Sequence, residues 1–137
     1  MTNIPSILPR MPDYCRRKWG ADFLVADESS NLSVGYTASS YSAGTKSSGT
    51  FTPDPANGGF QHATNGGAHT LAPPSTGSGD AVSVVLDYTN NGSAGAITTS
   101  GFTKVTGDAF DITNGHKFRC FMTVGNAGSL LNVVAMQ

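Results

Sequence analysis

The sequence predicts an all-β fold, an antiparallel β-sandwich or jelly-roll-like domain preceded by an extended N-terminal arm. Three observations lead there. Only 12% of the 137 residues are charged while glycine alone supplies 17, and Ser, Thr and Asn fill much of the remainder; all four disfavour helix interiors. Short β-type runs recur about every 8–12 residues between Gly, Asn and Pro, the spacing of sandwiches and barrels. Side chains alternate within those runs: Phe118, Cys120 and Met122 point one way, and Lys117, Arg119, Phe121 and Thr123 the other, with Phe121 breaking the polar face.

Residues 1–27 are expected to form an attachment arm. Pro12 and Asp13 suit the first turn of a short helix, and Gly20 limits its length. The apolar residues there are too sparse for a core of their own and suit anchors pressed into another surface. The residues expected to bind a partner are Ile4, Ile7, Leu8, Arg10, Tyr14, Arg16, Arg17, Lys18, Trp19 and Phe23. Residues 28–47 are rich in Ser, Gly and Thr and read as a linker with one possible edge strand, since Leu32, Val34 and Tyr36 alternate.

Residues 48–137 carry the expected sandwich. Strand-length runs are SGTFTP, FQHAT, AHTLAP, AVSVVLDYT, GAITTS, FTKVT, AFDIT, HKFRCFMTV and SLLNVVAM. The run Val82, Val84, Val85, Leu86 and Tyr88 is nearly continuous, as for a central strand covered on both faces or buried in an oligomer. Asn-Gly tolerates positive φ at both hairpin positions, so ITNGHKF predicts a tight hairpin. The TNG motif recurs at Thr64 to Gly66 and Thr113 to Gly115, with TNNG at Thr89 to Gly92; with no longer repeat visible, these are expected to be reused turns, not a solenoid.

Charge and chemistry narrow the function. A formal net charge of −1 offers no general attraction to nucleic acid. Arg10, Arg16, Arg17 and Lys18 place half of the eight cations in the arm, where an acidic protein surface is the expected partner. No stretch approaches the ~20 apolar residues of a membrane helix. The start MTNIPSILPRMPD lacks the pattern of a secretion signal, so synthesis in a cytoplasm is expected. Cys15 and Cys120 lack zinc-like spacing and are expected to be reduced thiols.

The histidines and aspartates form no catalytic pattern. His62 and His69 flank Asn65-Gly66-Gly67 and could face each other across a hairpin, but no carboxylate or thiol lies close in sequence to complete a metal site, and two solvated or cross-strand-paired rings are the expected reading. His116 reads as the polar flank of a turn. Asp80, Asp87, Asp108 and Asp111 read as turn caps, since no calcium-loop pattern surrounds them. Neither Gly-rich patch has the Lys and helix of a phosphate cradle. No catalytic residue, cofactor or metal is expected.

The stretch from about Gly49 to Gln137, with TNGGAHTLAPP, GSGDAVSVVLDYTNNGSAGAITTSGFTKVTGDAF, TNGHKFRCFMTV and SLLNVVAMQ, resembles a small β-domain of tailed-phage and prophage virion proteins. The resemblance implies a non-enzymatic structural protein of the virion, of the head-decoration or head-fibre type. It would bind the major capsid protein or another virion protein through the arm, oligomerise with itself, with a trimer favoured, and assemble in the bacterial host cytoplasm without nucleic-acid or membrane contact. The alternative is a tail- or fibre-associated module gripping a host glycan with Tyr36, Tyr41, Phe60, His62, His69 or Phe102.

Overall fold

Hydrogen bonding between strands far apart in sequence organises this chain. The computed structural model describes residues 35–137. The expected arm, with any short helix in it and the arm residues from Ile4 to Phe23, lies outside the described residues, as do Leu32 and Val34. Residues 38–137 form one unit. Its strands are β1 (Tyr41–Lys46), β2 (Thr50–Phe51), β3 (Phe60–Asn65), β4 (His69–Leu71), β5 (Val82–Asn90), β6 (Ile97–Thr99), β7 (Lys104–Gly107), β8 (Lys117–Gly125) and β9 (Gly128–Ala135). A six-stranded sheet runs in the order β1-β3-β5-β8-β9-β7, and a three-stranded sheet in the order β2-β4-β6.

The nearly all-β expectation holds, but the pairing is mixed. β1, β3 and β5 are mutually parallel, as are β2, β4 and β6, and β7 is parallel to β9. The expected antiparallel arrangement is confined to β5-β8-β9. The chain therefore runs strand, corner, strand three times, over 41–51, 60–71 and 82–99, and stacks these rungs on one another.

Asparagine at the corners explains why the chain turns there instead of doubling back. Thr64-Asn65 lies in register with Thr89-Asn90. The Asn65 amide donates to Asn90 Oδ1 and to the Gly95 carbonyl, both at 2.9 Å, and its own Oδ1 accepts from the Gly67 and Gly95 amides. The side chain thus ties its corner to the next rung. The backbone repeats the tie: Gly66 N–H donates to Lys46 O, Asn91 N–H to Asn65 O, and Gly115 N–H to Asn90 O. The recurring TNG motifs, expected to be reused turns and not a solenoid, are successive layers of one ladder. Glycine is required by the close approach, because a Cβ at Gly66 would strike the Thr45 side chain and one at Gly95 the Ala68 backbone.

The hairpin expected at ITNGHKF does not form. Residues 108–113 are not strand, and β7 pairs with β9. The Asn90 amide donates to the carbonyls of Asp111 (2.8 Å) and Thr113 (3.1 Å), so the segment docks on the end of β5. The tight hairpin lies at Gly125 to Gly128 between β8 and β9. Within the stretch read as a linker, Tyr41–Lys46 is the edge strand β1, with only Ala43 packed against the core.

The core lies on one face of the large sheet. Val84, Leu86 and Tyr88 of β5, Phe118, Cys120 and Met122 of β8, and Leu131 and Val133 of β9 are buried there with Leu71 of β4. β5 alternates instead of being covered on both faces, since Val85 and Asp87 are half-buried on the other side. Tyr88 is the centre of an aromatic cluster, with the rings of Phe51, His69 and Phe110 at 6.5, 5.6 and 6.0 Å.

Candidate functional site

The face of the large sheet opposite the core carries the features that its packing does not use. Cross-strand register puts Phe60, Val85 and Phe121 in one row and His62, Asp87 and Arg119 in the next. Strand alternation turns all six outward, because Gln61, Ala63, Leu86, Tyr88, Cys120 and Met122 take the inward positions. Phe60 is 43% and Phe121 42% exposed, a high fraction for rings of that size.

Arg119 grips Asp87 with two parallel bonds, Nε to Oδ1 at 2.8 Å and Nη2 to Oδ2 at 2.9 Å. The fork fits a carboxylate and fixes both side chains on a half-exposed surface. Those hydrogen bonds, and then the carboxylate's charge, raise the Arg119 pKa further. At the edge, Ser40 Oγ lies 2.8 Å from His62 Nδ1. A cleft of about 300 Å³ opens here, floored by Val85 and bordered by Ala38, Ser40, Phe60, Arg119 and Phe121.

The remaining polar groups hold the fold together. Gln61 is buried and donates to the carbonyls of Asp54 and Gly58, pinning the loop before β3. His69 is buried between the Gly67 carbonyl and the Tyr88 hydroxyl, while His62 faces outward, so the two histidines do not meet across a hairpin. Asp111 caps its own turn through the Thr113 amide, as expected of a turn cap, and Asp108 accepts from the Ala135 amide. Asp87 is no cap but an ion-pair partner.

His116 Nδ1 lies 2.7 Å from Asp111 Oδ2. A carboxylate orienting a histidine is half of a base–nucleophile arrangement, and among the described residues no side-chain hydroxyl or thiol is hydrogen-bonded to His116. The contact lowers the Asp111 pKa, chiefly by that hydrogen bond. Burial, then the Asp87 charge, pushes the Cys120 thiol up to about 12, so it is inert near neutral pH. Burial also raises the Tyr88 phenol. Among the described residues no three His, Cys, Asp or Glu side chains group as metal ligands, and no helix is long and apolar enough to cross a membrane.

Of the aromatic and histidine residues expected to grip a glycan, Phe60 and His62 share the outer face. His69 is in the core and Phe102 packs against it; Tyr41 is exposed on the edge strand in register with Gln61, and Tyr36 is exposed before it in sequence. Phe121 was legible as the residue breaking a polar face. Its convergence with Asp87 and Arg119 depends on the β5–β8 register, which no local pattern encodes. No family model matches the chain, and neither a curated protein nor a solved structure matches it.

Proposed function

We propose that this chain is a non-enzymatic structural protein of a tailed-phage particle, made in the host cytoplasm and carried in the virion. A sandwich-like, rung-stacked β-domain is displayed outward, and the arm docks on the major capsid protein or another virion protein. Arm residues Ile4, Ile7, Leu8, Trp19 and Phe23 supply the apolar contact and Arg10, Arg16, Arg17 and Lys18 the charge. The assembly is a homo-oligomer, a trimer by preference.

The observation that carries this reading is the division of labour within the β-domain. Its buried polar groups are taken up by corners and loops, and its strand edges are blunted. β1 has a register break between Ser42 and Thr45 and ends in Lys46, while β7 spans only Lys104–Gly107. Bulges, lysines and short edge strands hinder further strand pairing. Such a domain suits display and leaves attachment to another segment. Deleting residues 1–20 is expected to abolish incorporation into particles while the circular dichroism of the β-domain is unchanged. Full occupancy of shells by the truncated protein would overturn the proposal.

A further inference from the structure

We propose that the cleft between Phe60 and Phe121 is a binding site for a neutral sugar, one pyranose ring entering edge-on between the two aromatic rings. The site is independent of where the arm docks, so either proposal can fail alone. β3 and β8 flank β5, which sets the two phenylalanine backbones about 9.6 Å apart at the usual strand spacing. Val85 closes the floor between them. Two half-exposed aromatic side chains with an aliphatic residue between them fit a ligand that has apolar C–H faces and a polar perimeter. A volume of about 300 Å³ lies at the small end of ligand sites and suits one or two sugar rings.

The polar end of the cleft selects the charge of the ligand. Arg119 and Asp87 neutralise each other through the fork, so a carboxylate ligand would compete with Asp87 and an ammonium with Arg119. A hydroxyl disturbs neither. It can accept from Arg119 Nη1, which meets no acceptor among the described residues, and donate to a lone pair left on Asp87. Neighbouring hydroxyls of one pyranose can take both roles, since each hydroxyl donates and accepts. Hydrogen bonds to charged partners are the stronger kind, and here the partners are already held in place.

A homodimer through this face is the competing occupant. The edge-on cleft favours the sugar, because a flat sheet face built for a second copy would have no slot between its apolar side chains. The test is amide NMR of the full-length protein with the methyl glycosides of glucose, galactose, mannose and N-acetylglucosamine, and with glucuronate. At least one neutral glycoside is expected to give saturable shifts at Phe60, Val85, Arg119 and Phe121, with Kd on the order of 1 mM. Phe121→Ala and Arg119→Lys are each expected to weaken it at least tenfold while the spectrum of the core is retained. Silence with all four neutral glycosides, tighter binding of glucuronate, or shifts of the same amides on raising protein concentration alone would overturn the assignment.

Discussion

Asn90 joins more of this fold than its size suggests. Its side chain accepts from Asn65 and donates to the carbonyls of Asp111 and Thr113, so a single amide ties two corners and the loop before β8. It is also 1% exposed, so water cannot replace those partners. Asn90→Ala is expected to cost about 3 kcal/mol, since a buried polar group left unpaired costs more than an ordinary hydrogen bond contributes. Urea unfolding measures it, and a loss within the range of a surface substitution would show that the ladder is decorative. The exposed Asp111–His116 contact acts through pH instead. The folded pKa of Asp111 lies below its ordinary value of 3.8, so the native state binds fewer protons there than the unfolded chain. Its stabilisation is therefore full above that value and lost as pH falls through the lower, folded one. Asp111→Asn is expected to flatten the acid limb of the stability–pH curve below about pH 4; an unchanged acid limb would place the titration elsewhere.

At the scale of elements, legibility in the sequence followed the range of the interaction. β5, β8 and the turn from Gly125 to Gly128 were readable because alternation and an adjacent turn are local signals. The same turn chemistry misled at Asn65 and Asn114. Asn-Gly favours positive φ at both positions of a hairpin turn, but of these two pairs only Gly115 adopts it; the corners are set instead by the amides of Asn65 and Asn90, whose acceptors lie on other segments. The parallel pairing escaped for a related reason. Thr45 meets Thr64 and Thr64 meets Thr89, intervals of 19 and 25 residues by subtraction, so insertions between rungs erase a fixed period. β1 was hidden in a Ser- and Gly-rich stretch because an edge strand needs few apolar residues. The outer-face site was half legible: Phe121 was visible as the break in a polar face and Phe60 as one of several glycan-contact candidates, but only the register brings Asp87 to Arg119.

For the molecule as a whole, β5 is the strand on which the two kinds of pairing meet. It joins the parallel rungs through β3 to the antiparallel hairpin through β8, and it supplies three core side chains that are at most 1% exposed, Val84, Leu86 and Tyr88. Opening β5 exposes both halves of the large sheet, whereas opening β1 or β7 breaks one ladder and uncovers little apolar surface. Local openings cost less free energy where fewer buried contacts are lost. Native-state hydrogen exchange is therefore expected to be slowest at the amides of β5 and β8, including those of the buried residues Leu86 and Cys120, and to report the global unfolding free energy there. β9 should follow, and β1 and β7 should exchange first through local fraying. Raising denaturant separates the cases: exchange in β5 and β8 should accelerate with the full denaturant dependence of unfolding, and exchange in β1 should barely respond. Equal protection and equal denaturant dependence across β1, β5 and β7 would mean that the rungs and the hairpin open as one unit, and that β5 has no special place between them.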